Sequence, residues 1–131
     1  MTSESLVAPH GASVLRCAPD GQRLSDGTTA LDLIGEAMGC CAEVVVVPVE
    51  RVADGFFSLG SGLAGDIVQK FVNYRIRLVV LGDITSHVTG SHALRDFVRE
   101  ANRGSQVWFV ATQEELDERL QQRRSLPGQG R

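Results

Sequence analysis

The sequence predicts an α/β fold: a single domain with a mainly parallel central sheet, an N-terminal edge hairpin and helices covering the sheet. Two apolar runs, at residues 44–49 and 78–82, have the length and composition of buried strands, and residues 106–111 are predicted to form a further strand. Segments with apolar residues at helical spacing separate these runs and begin at capping residues. Strands that alternate with helices are typical of parallel sheets joined by right-handed crossovers.

The first predicted element is the edge hairpin. Ala12 to Ala18 are predicted to form a strand, and the turn residues Pro19, Asp20 and Gly21 would fold the chain back. Gln22 to Leu24 would then pair with this strand at the edge of the sheet.

A helix is predicted from about Thr29 to Met38, with Asp26 or Thr28 as its N-cap and Gly39 at its C-terminal end. Glu43 to Val49 would follow as a central strand covered on both faces, because the run is apolar and β-branched. The helix residues expected to face the sheet are Leu31, Ile34 and Met38.

A second helix is predicted to start at Ser58 or Ser61 and to run to about Tyr74. The strand Arg77 to Asp83 comes after it. The apolar residues at intervals of four in this helix, expected to face the core, are Leu63, Ile67 and Phe71.

The last elements are a helix from Ser91 to Asn102, ended by Gly104, a strand at Gln106 to Ala111 and a final helix. Thr112 to Glu115 form a capping box, in which Thr112 accepts from the N–H of Glu115 and the Glu115 carboxylate reaches back. The inward positions of the two helices are Leu94, Phe97, Val98, Ala101, Leu116 and Leu120.

The chain ends are expected to lie outside this domain. Residues 1–11 are polar and include Pro9 and Gly11, and residues 125–131 show no periodic pattern. We therefore predict flexible ends at 1–11 and 125–131 and one domain at 12–124.

Composition and charge narrow the classes of function. A net charge of −3 argues against a general nucleic-acid binder, whose surface would carry a basic excess. The N-terminus lacks the pattern of a secretory signal, and no stretch reaches the roughly 18 apolar residues of a membrane span. We expect a cytoplasmic protein with neither nucleic-acid nor membrane partners.

The three cysteines, Cys17, Cys40 and Cys41, do not have the spacing of metal ligands. Adjacent cysteines do not readily form a disulfide with each other, so reduced, buried structural cysteines are expected. A reactive thiol is the alternative.

Residues 60–65, GSGLAG, match the G-x-G-x-x-G pattern of dinucleotide-binding folds, and Asp83 ends the following strand. The strand before the motif ends at Val49, too early for a tight strand-to-helix turn. The sequence therefore predicts no cofactor, and Gly62 and Gly65 are expected to permit close packing of helix against sheet.

A polar cluster follows the strand that ends near Asp83. Asp83, Ser86, His87 and His92 could form an acid–base or nucleophilic site, because ligands meet the carboxyl ends of strands in open α/β sheets. The alternative is a loop whose Asp and Ser side chains bond the local backbone and cap a helix. The spacing of the histidines matches no specific metal site.

Four further residues complete the candidate ligand or partner site. Ser61 can start a helix, while Asn73 and Tyr74 end it, either as cap and packed ring or as ligand contacts. Arg103 belongs to a charged helix face that is either solvated or able to anchor an anion or a partner's carboxylate. Of the adjacent pair Phe56–Phe57, one is expected in the core and the other at an interface.

Several stretches of the sequence resemble a small bacterial family known only as a domain of unknown function, family 4180. They are residues 56–74, FFSLGSGLAGDIVQKFVNY, then Gly82-Asp83, and residues 94–104, LRDFVREANRG. The resemblance covers about residues 28 to 120 and implies no activity.

At fold level, residues 44–82 are similar to STAS domains of the anti-sigma-factor antagonist type, in which a buried strand leads to an Asp-Ser-Ser-Gly-Leu motif at a helix N-terminus. The first Ser of that motif is phosphorylated in the family, but Gly60 stands there and Leu59 replaces the Asp. Only Ser61 remains, so the resemblance does not carry over the switch. A phosphate on Ser61 would be favoured by the helix N-terminus, and a plain cap is the alternative.

We expect a STAS-like role of a regulatory kind, exerted through protein contacts, as the leading function, with a homodimer or another cytoplasmic protein as partner. The alternative is a small-molecule enzyme or ligand-binding protein that uses the Asp83–His92 loop and the helix N-terminus at Ser61.

Overall fold

In the part of the chain that the structure describes, five strands form the central sheet, and they lie side by side in chain order. The first two pair antiparallel, and all other neighbours are parallel. This computed structural model describes residues 3–7, 13–18 and 21–125, and side chains at 14–18 and 21–121. The strands are β1 (Ser3–Val7), β2 (Ser13–Cys17), β3 (Val44–Pro48), β4 (Arg77–Leu81) and β5 (Val107–Val110).

Helices connect the parallel strands, which confirms the predicted α/β class. Short 3₁₀ turns at Val49–Arg51, Asp54–Phe57 and Leu59–Ser61 link β3 to the second helix. The helices are α1 (Gly27–Gly39), α2 (Leu63–Asn73), α3 (Thr85–Val88), α4 (His92–Arg103) and α5 (Gln113–Ser125).

Each face of the sheet has its own core, because successive strand residues point to opposite faces. Consecutive parallel strands are neighbours, so right-handed crossovers place α1, α2 and α4 on the same face. The sheet residues beneath these three helices include Val45, Val47, Leu78, Val80 and Phe109. Those on the opposite face, beneath α5, are Val14, Val44, Val46, Val79, Trp108 and Val110.

The edge hairpin is present, but the predicted partner of its strand was wrong. β2 pairs with β1, with Ser5 opposite Leu15. Leu24 makes a single parallel bridge to Val52 instead of joining β2. Pro19 and Asp20 of the predicted turn lie outside the described residues.

Two elements of the structure extend into the segments that were predicted to be flexible. β1 occupies residues 3–7 of the 1–11 segment, and α5 extends to Ser125. Residues 1, 2, 8–12 and 126–131 lie outside the described part of the chain.

The buried face of α1 differs from the predicted one. Ile34 is buried as expected, but Leu31 and Met38 are 40% and 56% exposed. The core-facing residues are Ala30, Leu33, Ile34 and Ala37. Burial follows the small alanines, which allow the helix to lie close to the sheet, instead of the larger Leu and Met side chains.

The predicted inward positions of the other helices are largely confirmed. Leu63, Phe97, Val98 and Ala101 are partly buried against the core. Five positions are almost completely buried: Ile67, Phe71, Leu94, Leu116 and Leu120.

Local capping is as predicted at α1 and α4, and at α5 the Thr112 half of the predicted capping box is present. Asp26 and Thr29 form a reciprocal capping box at α1, with Thr29 N donating to Asp26 Oδ1 at 2.9 Å. Ser91 caps α4, and Thr112 Oγ accepts from Glu115 N at 3.1 Å. These caps depend on neighbours in sequence, which explains their predictability.

Two expectations about apolar side chains are corrected. Cys17 is buried, but Cys40 is half-buried and Cys41, with φ +60°, is exposed.

Phe56 and Phe57 are both buried, so neither is free to form an interface. The 3₁₀ turn rotates successive side chains by about 120° instead of 180°, which lets both rings face the core.

Within the described residues, no helix has both the length and the apolar character needed to cross a bilayer.

Candidate functional site

The eight predicted site residues divide between the two ends of the parallel strands. The eleven residues of α2 span about 16 Å from one end to the other. The carboxyl edge, where β3 and β4 end, holds Ser61, Asp83, Ser86, His87 and His92. The amino edge, where α2 and α4 end, holds Asn73, Tyr74 and Arg103. The structure therefore does not bring the eight residues into one site.

At the carboxyl edge, the Asp83 side chain accepts a hydrogen bond from the backbone two residues later in the chain. Its Oδ1 atom accepts from Thr85 N at 2.9 Å, at the start of α3. Hydrogen bonds from the Thr85 hydroxyl and backbone N–H hold the pKa of this exposed carboxyl below its usual range. The Asp83 carboxylate is therefore bonded within a local turn just before α3, whose N-cap residue is Ile84.

The two histidines lie near Asp83 in sequence without forming an acid–base pair with it. The His87 ring stacks on Phe57, with centroids 4.0 Å apart and planes 14° apart. His92 is exposed in the first turn of α4, and Ser86 is exposed on α3. Among the described side chains, neither imidazole is hydrogen-bonded to Asp83, and no group of three His, Cys, Asp or Glu residues could hold a metal ion.

Ser61 closes the turn before α2. Its hydroxyl donates to Gly55 O at 2.9 Å and accepts from Leu63 N at 3.2 Å, as a local cap would. Gly62 is the N-cap residue and has φ +77°, a conformation that favours glycine. A Cβ at Gly62 or Gly65 would meet nothing within 4 Å, so the predicted close packing against the sheet does not explain these glycines.

At the amino edge, two predicted site residues contact neighbours on their own helix. Asn73 Oδ1 accepts from Gln69 Nε2 at 2.9 Å. Arg103 lies 3.8 Å from Glu100, with both side chains about 70% exposed (72% and 70%). Tyr74 is 49% exposed beside them.

The residue next to Arg103 has a structural role that the sequence did not suggest. Asn102 Oδ1 accepts from Phe109 N at 2.7 Å. Because β5 is the last strand of the sheet, no further described strand lies on the side to which this N–H points, and Asn102 supplies the acceptor that a neighbouring strand would supply.

Glu115 does not make the bond predicted for it in the capping box. Its Oε1 atom accepts from Ala111 N at 3.1 Å, and not from the Thr112 N–H.

An apolar concave surface at the amino edge lies between α2 and α4. We call it the α2–α4 groove; its volume is about 500 Å³. Val68, Phe97, Ala101 and Val107 supply its apolar lining. Its remaining lining residues are Glu100, Gly104, Ser105 and Gln106.

A polar depression of about 510 Å³ adjoins the groove and shares Ser105 and Gln106 with it. Its charged lining residues are Glu43, Arg75 and Arg77. A third, smaller depression of about 280 Å³ lies beside α1 and Arg51.

Trp108 fixes the loop between the two amino-edge depressions. Its Nε1 donates to Gly104 O at 2.8 Å. The guanidinium groups of Arg77 and Arg119 lie 4.4 and 4.3 Å from its ring centroid. Arg77 Nε also donates to Ser105 O at 2.6 Å, so the floor of the groove is held from β4 and β5.

These features define a one-domain α/β protein in which Asp83 and Ser61 bond local backbone groups at the carboxyl edge and an apolar groove lies at the amino edge. Residues 9–120 match the family described as a domain of unknown function (DUF4180), and the chain belongs to this family. β1 lies before the matched region. No curated protein and no solved structure matches the chain.

Proposed function

We propose that the protein is a binding module that docks an amphipathic helical segment of another protein in the α2–α4 groove. The observation that carries the proposal is the apolar lining of this groove by half-buried Val68, Phe97 and Ala101 over the buried Val107. A groove between two helices that exposes such side chains is suited to the apolar face of a third helix. The regulatory, STAS-like and cytoplasmic aspects of the expected role remain part of this proposal.

The walls of the groove are held in place before any partner binds. The Phe97 ring meets Phe109 edge-on, with centroids 6.0 Å apart. Ser105 and Gln106 belong to the loop that Arg77 and Trp108 fix. Little side-chain ordering would therefore be needed on binding, which lowers its entropic cost.

The alternative function at the Asp83–His92 loop has less support. Asp83 and Ser61 are engaged with local backbone groups, and His87 is stacked on Phe57. A nucleophile or general base needs a partner within hydrogen-bond reach, and among the described side chains this loop contains no such pair.

A second copy of the chain is a less suitable partner than a different protein. The exposed apolar side chains Leu31 and Met38 lie on one side of α1, with Gly35 between them. Asp32 and Glu36 are exposed on the same helix, which carries no basic residue. Two α1 helices packed antiparallel about Gly35 would place Asp32 and Glu36 of both copies, with Arg23 beside them, along one side of the interface, so α1 itself offers a second copy no complementary charge.

The proposal is tested with a substitution that fills the groove with a larger side chain and removes no side chain from the core. We expect helical peptides selected from a display library on the wild-type protein to bind Ala101→Arg at least about tenfold more weakly. The matched control is Ala111→Arg, at an exposed position beyond the carboxyl end of β5, which should bind the same peptides as wild type does. Circular dichroism of both variants checks that the fold is retained.

Three outcomes would contradict the proposal. The selection could yield no helical peptide, or the selected peptides could bind Ala101→Arg as tightly as wild type. A third is that only an apolar dye such as Nile red binds and Ala101→Arg alone abolishes its binding, in which case the groove takes a small apolar molecule instead.

A further inference from the structure

The two rims of the α2–α4 groove differ in charge. On α4, Glu100 lines the groove, and Asp96 lies one turn earlier on the same side. Both carboxylates are exposed. On α2, the exposed residues Gln69 and Asn73 are neutral and bonded to each other at 2.9 Å. One rim is therefore acidic and the other is polar without charge.

Nearby cations offset the charge of the acidic rim only in part. Lys70 Nζ lies 3.1 Å from Asp66 Oδ1, and both side chains face Gly27 of α1, away from α4. Arg103 approaches Glu100 only to 3.8 Å, and an exposed pair of this kind contributes little. The Glu100 carboxylate remains available to a charged group brought by a partner.

The remaining arginines of α4 lie farther round the helix. Successive residues of an α-helix are rotated by about 100°, which places Arg95 and Arg99 on the side of α4 away from Phe97 and Ala101. Arg75 and Arg77 line the polar depression at the end of the groove and not its α4 rim.

From this asymmetry we infer that the partner helix carries Lys or Arg beside its apolar stripe, on the side that faces α4. The inference rests on the proposed function of the same groove and adds the chemistry of its occupant. Apolar side chains would enter between Val68 and Phe97, and the basic side chains would lie along Asp96 and Glu100. Because these charges are at the rim, they contribute to choice of partner and to association rate, and salt weakens them.

The test uses two fluorescent peptides of about 18 residues with the same leucines at helical spacing. One has Lys and the other Glu at the positions flanking the stripe. We expect the Lys peptide to bind wild type at least about fivefold more tightly at about 0.05 M salt, and the difference to shrink at about 0.5 M. Fluorescence anisotropy measures both affinities.

Charge reversal at the rim provides the decisive comparison. Asp96→Lys/Glu100→Lys should reverse the preference between the two peptides. The matched control, Glu114→Lys/Glu118→Lys, makes the same charge change at the same spacing on α5, on the opposite face of the sheet, and should keep the preference for the Lys peptide. An equal shift in both double variants would mean that the net charge of the molecule, and not the rim, selects the peptide, and would overturn the inference.

The outcomes separate this inference from the proposed function. If both peptides bind wild type equally and Ala101→Arg abolishes both, the groove docks helices but the inferred partner chemistry is wrong. If neither peptide binds, or if Ala101→Arg binds both as wild type does, the proposed function itself fails, and the inference fails with it.

Discussion

Arg51 brings a positive charge into the interior just after β3. It is 4% exposed, and its Nε and Nη2 atoms donate to Gln22 O at 2.8 and 2.6 Å. Nη1 donates to Ala18 O at 3.2 Å. A Cβ at Gly21 would lie 2.6 Å from the guanidinium carbon, so the chain closes directly over this group. Arg51 thereby ties the segment after β2 to the end of β3.

We expect Arg51→Ala to lower the free energy of unfolding by about 2 to 3 kcal/mol, because it removes charged hydrogen bonds and leaves Gln22 O without this donor. Urea denaturation measures the change. Arg23→Ala, at an exposed position of the same segment, should stay within about 0.5 kcal/mol of wild type. A similar small change for Arg51→Ala would show that its hydrogen bonds do not stabilise the fold.

At the level of elements, β5 is a sheet edge closed by side chains. Asn102, at the end of α4, covers Phe109 N, and Glu115, at the start of α5, covers Ala111 N. Uncovered N–H groups on an edge strand offer a site for pairing with another chain. The two caps protect this edge from strand addition.

Asn102→Ala is expected to lower the free energy of unfolding by about 1 to 2 kcal/mol, because Phe109 N loses its acceptor. The same variant should self-associate more readily through the opened edge. Urea denaturation and light scattering measure the two effects. Arg103→Ala is the neighbouring control and should change neither; if Asn102→Ala behaves like it, the cap has no role in stability or in protecting the edge.

Which elements the sequence predicts depends on the range of the interactions that form them. The caps at Asp26, Ser91 and Thr112 were predictable because they involve residues three positions apart. The pairing of β1 with β2 was not, since residues 1–11 were predicted to be a flexible end and the hairpin partner was placed at residues 22–24. The exposed face of α1 was missed as well, because α2 and the sheet select which of its apolar residues are buried.

Less of the candidate site than of the fold could be predicted from the sequence, for the same reason. Asp83 and Ser61 were identified in sequence as polar groups at element ends, and the alternative of bonding to local backbone agrees with the observed bonds to Thr85 N and Leu63 N. The α2–α4 groove was not predicted, because Val68, Phe97 and Ala101 read as ordinary core positions. Their incomplete burial depends on the space between two helices, which no local pattern encodes.

On the scale of the whole molecule, the crossovers determine which residues are buried in the two cores and which surfaces stay open at the edges of the sheet. Three helices cover one face of the sheet and α5 covers the other, so both cores share the same strands. Open α/β sheets commonly bind ligands at the carboxyl edge. Here Asp83 and Ser61 bond local backbone groups at that edge, and the apolar groove lies at the amino edge.

The shared strands predict that the two cores unfold together. Leu116 is completely buried under α5, and Leu116→Ala should lower the free energy of unfolding by about 2 to 5 kcal/mol. Trp108 is the chain's single tryptophan and lies in the α5 core, so its fluorescence reports on that face. Far-UV circular dichroism reports mainly on helices, three of which cover the other face.

In urea, both signals should move by the same amount in Leu116→Ala, because neither core can lose its strands without the other. Glu118→Ala, exposed on the same helix, should leave both transitions near those of wild type. If the fluorescence transition shifts while the circular dichroism transition stays in place, α5 detaches from a sheet that remains folded. The four parallel strands would then be stabilised by α1, α2 and α4 alone.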